Sequence, residues 1–225
     1  YKPRDYQLRA VAHAVRNHRA LILSPTASGK SFIIYCLIKY YLRKECQKAL
    51  IIVPTTSLVS QLNSDFIDYS ENLQFYYTHL VVGGQEKNNE KAKIIISTWQ
   101  SIYKQPKKYF DQFDLIIGDE AHLFKANSLT KIMEKMTDCK YRFGFTGTLD
   151  ESVTNKLVLE GLFGPVMRVI TTKELIDNKT LSEFRIKCLV LKYSDATRKQ
   201  VARSTYQQEM DFLVAHEKRN QFIKN

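Results

Sequence analysis

The sequence is short of the residues that staple small or extracellular folds. It has four cysteines, Cys36, Cys46, Cys139 and Cys188, and none forms a C-x-x-C pair. No Cys/His cluster has zinc spacing, so neither a disulfide framework nor a structural zinc site organises the chain. Free, mostly buried thiols in a reducing cytosol are expected. Long apolar runs are missing too: none approaches the roughly 20 residues that span a bilayer. The opening YKPRDYQLRA is not built like a signal peptide. A cytoplasmic protein without membrane contact is the expectation. Internal repeats and low-complexity tracts are absent, which excludes repeat architectures.

Acidic residues are the other shortage. There are 34 Lys and Arg against 23 Asp and Glu, a net charge of +11, with pI near 9.4. The excess is spread along the chain rather than packed into a tail. It suits a solvated basic surface or a partner made of phosphates. Apolar residues are plentiful. At 225 residues, 44% hydrophobic and 12% aromatic, the chain can bury the core of one large domain or one and a half.

The stretch Ala20 to Tyr35, ALILSPTASGKSFIIY, organises the rest. A short apolar run, Ala20 to Leu23, has strand character. Small residues follow from Ser24 to Gly29, and Lys30-Ser31 opens a helix-length apolar segment. Strand, small-residue loop and helix in that order form a phosphate loop. After Pro25, the backbone N–H groups of Thr26, Ala27, Ser28 and Gly29 can close around phosphate oxygens at the positive end of the helix dipole. Lys30 would reach the β- and γ-phosphates, and the Ser31 hydroxyl would join the shell of a Mg²⁺ ion. Ser24 stands where the full pattern has glycine, and Ala27 where a second loop glycine is common. On these residues alone, an ordinary strand-to-helix turn is the competing reading.

Along the chain, residues 4–18 are expected as a helix with Leu8, Val11, Ala12 and Val15 on one face and Asp5 as cap. Helices are expected over 30–43, 57–69 and 127–137, and a short one over 98–103. The face of the second of these is Leu58, Leu62, Phe66 and Tyr69. Strands are expected at 49–53, 79–82, 94–97, 115–118 and 141–145, most of them wholly apolar. Gln85 to Lys93 is polar and reads as a loop or mobile excursion. Strands alternating with helices predict an α/β fold: an open, mostly parallel sheet with helices on both faces. Ligands bind such sheets at the carboxyl ends of strands. The stretches 24–31, 54–57, 98–100, 119–122 and 146–148 each follow an expected strand directly. Beyond residue 150 the alternation stops. Strands are expected outside it at 166–170 and 185–192, then one long polar helix over 196–225.

Asp119-Glu120, directly after the buried run Leu115 to Gly118, is the carboxylate pair a phosphate loop needs. Asp119 is placed to order the waters of Mg²⁺, and Glu120 to orient and deprotonate the attacking water. The competing reading is a solvated loop.

Taken together, GKS at 29–31, DEAH at 119–122 and TGT at 146–148 resemble the first motor domain of a superfamily-2 helicase, a RecA-like phosphate-loop NTPase. The resemblance covers about residues 1–165. RDYQ at 4–7 resembles the adenine-sensing glutamine motif, VPTTSLVSQ at 53–61 and STWQS at 97–101 resemble strand-contacting motifs, and 204–223 resembles the linking helix of the XPB-related repair branch. The resemblance implies that Gln7 reads the adenine edge with Arg4 near the base. It implies that Thr55, Thr56, Gly84, Thr98 and Gln100 lie on the nucleic-acid backbone, with Trp99 either stacking on a base or serving the core. Thr146 and Thr148 would couple hydrolysis to strand movement, and His122 would link them to the nucleotide. ATP and Mg²⁺ are the implied cofactors. DNA, single-stranded, duplex or branched, is the implied partner, with an RNA–DNA hybrid also allowed.

The family pattern also implies a second motor domain, joined through 166–225, whose arginines reach the γ-phosphate. No Q-x-x-G-R-x-x-R segment occurs in these residues. An arginine of that kind is worth about 10³–10⁵ in rate, so these residues alone are expected to hydrolyse ATP very slowly. Three rival readings stay open: a duplex translocase that separates no strands, a non-catalytic module binding nucleic acid or a partner, and a small-molecule kinase. The intact Lys30, Ser31, Asp119 and Glu120 speak against the second. The third needs an acceptor pocket and lid that the sequence does not offer.

Overall fold

The computed structural model describes residues 1–71, 77–149, 153–183 and 187–224, without the side chains of 125, 153 and 154. It divides into two compact units, Tyr1–Ser182 and Glu183–Asn225.

The first unit is built on a seven-stranded sheet: β1 (Arg19–Leu23), β2 (Ala49–Val53), β3 (Thr78–Val81), β4 (Ile94–Thr98), β5 (Leu115–Asp119), β6 (Tyr141–Thr146) and β7 (Val166–Arg168). Their order is β3-β4-β2-β5-β6-β1-β7, and every pairing is parallel. The helices are α1 (Asp5–Asn17), α2 (Lys30–Lys44), α3 (Thr56–Tyr69), α4 (Trp99–Ile102), α5 (Lys107–Phe110), α6 (Asn127–Lys135), α7 (Val153–Phe163) and α8 (Thr172–Asp177), with a 3₁₀ turn at Ala121–Lys125.

Parallel strands buried on both faces read as unbroken apolar runs, because successive side chains serve opposite layers. Ala49, Ile51 and Val53 of β2 join the core under α1, α2 and α3, while Leu50 and Ile52 join the core with Phe110, Phe124, Ile132 and Phe163. The second core leaves no room at Gly144 of β6. A Cβ there would lie 2.9 Å from Ala121 Cβ, Leu21 Cδ1 and Phe163 Cδ2.

Register brings the strand ends level. Ile22 pairs with Phe145, Phe145 with Asp119, and on the far side Val53 with Thr98. All five chemically suggestive stretches therefore emerge from one rim.

Several expectations are corrected. Val166–Arg168 is not outside the alternation: it completes the sheet beside β1, and the first compact unit runs on to Ser182. The expected strand over 185–192 lies partly outside the described residues, and Lys187–Lys192 are not strand. The single helix expected over 196–225 is three: α9 (Asp195–Val201), α10 (Tyr206–Ala215) and α11 (Glu217–Lys224). Thr205 starts a new helix because its N–H donates to Gln208 Oε1 at 2.9 Å, and His216 Nδ1 accepts from Arg219 N at 3.2 Å. Asp5 does not cap α1. Gln7 takes that role, its Oε1 accepting Arg4 N at 2.9 Å. The buried face of α1 is Tyr6, Gln7, Ala10 and Ala14; of the expected face, Val11 and Val15 are partly buried against the core, while Leu8 and Ala12 are exposed. Cys46 and Cys139 are buried, which pushes both thiols up to about 12, and Cys188 is exposed.

Overpacking a filled core costs about 1–3 kcal/mol. Gly144→Ala is expected to destabilise the sheet unit by that amount in urea unfolding. A shift under about 0.5 kcal/mol would mean that the Phe163 layer yields.

Candidate nucleotide and nucleic-acid site

The phosphate loop leaves β1 at Ser24 and enters α2 at Lys30. Ser24 is fully buried, and its Oγ lies 2.6 Å from Ser28 Oγ. Ser28 Oγ in turn donates to Pro25 O at 2.5 Å, so the Ser24 hydroxyl must be the donor to Ser28. The loop is thus fastened from within by two serines. Ser24 has no positive φ, so a glycine is not needed there. Ala27 does take the left-handed conformation, φ 64°, at the place where glycine is common. Glycine is favoured at Gly29 on two counts. Its φ is 79°, and a Cβ would collide with Gln7 Nε2.

That contact explains how α1 is turned. Gln7 Nε2 and Tyr6 Oη both donate to Ser28 O, at 3.0 and 3.1 Å, and Arg4 donates to Tyr6 Oη at 2.8 Å. The glutamine segment is bolted to the back of the loop.

Opposite the loop, Lys30 Nζ lies 2.7 Å from Glu120 Oε1 and 3.7 Å from Asp119 Oδ1. Asp119 is the last residue of β5. Its Oδ1 accepts Glu120 N at 3.0 Å, and Glu120 sits in the left-handed region at φ 49°. This turn sends two adjacent carboxylates toward one lysine. Burial lifts the Asp119 carboxyl above the usual carboxylate range, with Lys30 opposing.

The same corner holds the expected coupling residues. His122 Nδ1 lies 2.9 Å from Thr146 Oγ1 and 3.4 Å from Glu120 Oε2. Thr146 Oγ1 donates its one proton to Thr148 O at 2.8 Å. Nδ1 is therefore the donor to Thr146, and the same N–H faces Glu120. Lys30, Glu120, His122, Thr146 and Thr148 form one polar chain along the rim. A pocket of about 380 Å³ lies between the loop, Asp119-Glu120 and α3.

The expected strand-contacting residues gather separately, at the ends of β2, β3 and β4. Thr55, Thr56, Gly84, Thr98, Trp99 and Gln100 line one cleft of about 720 Å³. Thr55 caps α3, its Oγ1 accepting Leu58 N at 3.4 Å. Thr98 is nearly buried and its hydroxyl meets Ser101 Oγ at 2.9 Å, so it has the least free surface of the six. Trp99 serves both readings: it is half-buried, edge-on to Tyr103 at 5.8 Å, and walls the cleft.

Some residues were not anticipated. Tyr6 was hidden beside Gln7 in a helical pattern. Tyr69 was legible only as a core position, yet its hydroxyl lies 2.7 Å from Ser31 Oγ. Gln61 and Asp65 of α3 also line the pocket beside the loop. No helix among the described residues is long and apolar enough to cross a membrane.

The type III restriction enzyme res-subunit family matches residues 1–151. The ATP-dependent DNA helicase uvsW of Enterobacteria phage T4 is 34% identical over 229 residues, covering 99% of this chain and 45% of its own length. The DNA 3'-5' translocase XPB2 of Sulfurisphaera tokodaii is 26% identical over 197 residues, covering 88% of this chain and 42% of its own. A crystal structure of the UvsW helicase from bacteriophage T4 is similar at a TM-score of 0.68 and 34% identity, over 75% of this chain and 60% of that one. The Pyrococcus furiosus Hef helicase domain, at 23% identity and a TM-score of 0.62 over 74% of this chain and 38% of that one, shares the fold. The chain spans about half the length of the curated relatives it matches.

A buried acid with a raised pKa contributes stability below its unfolded value, about 3.9, and loses it as pH rises through the folded value. Asp119→Asn, measured without nucleotide, is therefore expected to melt higher than the unaltered chain at pH 7. The gap should close as pH falls below about 4. A variant that melts lower at pH 7 would show that the Lys30 attraction outweighs desolvation.

Proposed function

Because the chain belongs to the type III restriction enzyme res-subunit family and has the RecA-like fold of superfamily-2 helicase motors, we propose that it is the ATP-binding first motor domain of an ATP-dependent DNA helicase or translocase. The observation that carries the reading is the meeting of Lys30 with Glu120 at 2.7 Å across β6, with Thr146 tied to the same carboxylate through His122. Lys30 exchanges part of its contact with the carboxylates for the β- and γ-phosphates, which the Thr26–Ser31 backbone cradles. Glu120, so released, orients and deprotonates water for attack. Arg4 and Gln7 stand behind the loop where the base would lie.

Mg²⁺ fits the donors present. Ser31 and Asp119 offer hard oxygens, and Mg²⁺ binds through one or two carboxylates plus phosphates rather than a dedicated cage. Among the described residues no such cage of three or more His, Cys, Asp or Glu occurs. When bound, the ion would neutralise charge on the phosphates.

The second cleft would hold the nucleic-acid backbone without reading sequence. We take the partner to be DNA, single-stranded, duplex or branched, with an RNA–DNA hybrid also compatible. The intact protein would use a second motor domain to close the nucleotide site and act in the cytoplasm on recombination or repair intermediates. A duplex translocase that separates no strands is the reading nearest to this one; strand-displacement set against triplex-displacement assays separates the two.

Lys30→Ala is expected to weaken ATP binding at least about tenfold, a loss of one or more charge-assisted hydrogen bonds. Glu120→Gln should keep nucleotide affinity and lower DNA-stimulated turnover in the intact protein by about 10²–10⁴, the range of a lost general base. Unchanged affinity in the first variant would favour a non-catalytic module. His122→Ala should keep nucleotide affinity and lose the DNA stimulation, read as the ratio of turnover with and without DNA.

A further inference from the structure

The segment Gln85–Lys93 reads from sequence as a loop or mobile excursion, but the structure ties it down from three sides. Tyr109 Oη, on α5, donates to Lys87 O at 2.9 Å. His79 Nε2, on β3, donates to Glu86 O at 2.8 Å. Lys48 Nζ, just before β2, donates to Asn89 O at 2.9 Å, Gln112 Oε1 at 2.7 Å and Asn88 Oδ1 at 3.4 Å. Those three acceptors use every proton of the Lys48 ammonium, so that lysine is a structural pin. Inside the segment, Gln85 Oε1 accepts Val82 N at 3.3 Å and Asn89 Oδ1 accepts Lys91 N at 3.0 Å.

Lys87, whose own carbonyl is pinned, lines the cleft together with Thr55, Thr56, Gly84 and Gln100. Lys104, beyond α4, lines the same cleft and is exposed. Among the described residues no Asp or Glu lines the cleft. Two cations, hydroxyls and amides with no acid between them match a polyphosphate backbone, and they mismatch an acidic-and-basic protein surface. Neither lysine lies in the segments that resemble a strand-contacting motif.

We propose that Gln85–Lys93 is a fixed finger that holds Lys87 in the cleft as a sequence-independent phosphate contact, with Tyr109 as its positioning residue and Lys104 as a second cation. This rests on the nucleic-acid reading of the cleft and adds what grips the strand there. Tyr109 is nearly buried and does not itself line the cleft. Its hydroxyl acts only through the Lys87 backbone.

The test is equilibrium binding of a fluorescently labelled oligothymidylate to this chain over a range of salt concentrations, with ATP affinity and melting temperature measured beside it. Lys87→Ala should bind more weakly, with a salt slope smaller by about 0.7 on a single strand. Lys87→Arg should restore the slope, and ATP affinity should not change in either. Tyr109→Phe should lose part of the same slope, and adding it to Lys87→Ala should cause no further loss. If Lys87→Ala keeps the full slope while Gln100→Ala weakens binding, the finger is overturned and the cleft reading stands. Additive losses from Tyr109→Phe and Lys87→Ala overturn the positioning role. No salt-dependent binding by the unaltered chain overturns both finger and cleft.

Discussion

A lysine at the start of a helix, with its charge at the rim of a parallel sheet, needs a counter-charge. Here Glu120 supplies it at 2.7 Å and Asp119 at 3.7 Å. All three side chains are partly withdrawn from water, so the attraction is less screened than at an open surface. Two carboxylates side by side at a buried strand end would repel if the lysine were absent. Hence the loop geometry that fixes Lys30 and the left-handed turn that fixes Glu120 depend on each other. The Ser24–Ser28 bond, the Gln7 bond to Ser28 O and the φ of Gly29 all serve to hold that one ammonium in place.

The sheet does the remaining placement. β6 lies between β1 and β5, so anything at its carboxyl end is next to both halves of the charge cluster. Thr146 is there, and His122 closes the gap to Glu120. Buried parallel strands demand glycine or small residues where a helix crowds them, and Gly144 meets that demand under Phe163. On the other flank β2, β4 and β3 end at the same level, and their loops form the second cleft. One rim thus carries two chemistries, separated by the boundary between β2 and β5.

What was legible in the sequence was what is local. A strand, a small-residue loop and a helix start form the candidate phosphate loop within Ala20–Ser31, and LIIGDEAH places both acids by simple continuation of a strand. TGT was legible for the same reason. Contacts set by how a helix is rolled were not legible. The periodicity of α1 offers two faces, and the one with Leu8 is the more apolar. The hydrogen bonds of Tyr6 and Gln7 to Ser28 roll the helix toward the other, leaving Val11 and Val15 at its margin and Leu8 exposed. Tyr69 looked like a core position because its ring is one, while its hydroxyl at the ring's far end reaches Ser31. The polar composition of Gln85–Lys93 signals a loop but says nothing of its anchors, which come from His79, Lys48 and Tyr109, far apart in sequence. The tail failed differently. Its helix-forming residues are continuous, and only the capping bonds at Thr205 and His216 reveal that the backbone turns.

Two contacts in the nucleotide site bear on how it would work as a switch. Lys30 is already bonded to Glu120, and Ser31 to Tyr69. Under the proposed function a triphosphate with its metal would have to replace both, so its affinity would be the surplus over bonds that exist without it. The replacement also has a direction. Once Lys30 turns to phosphate, Glu120 keeps the His122 N–H as its remaining partner, and that N–H is shared with Thr146. A state with Glu120 on both the lysine and the histidine, as here, and a state with it on the histidine alone would be two arrangements of the same polar chain. Coupling between sites requires an element of that kind, one whose equilibrium each site can bias. Under the proposed function that element would be Glu120, a carboxylate just past the end of β5, tied through His122 to the end of β6, the strand that lies between β5 and β1.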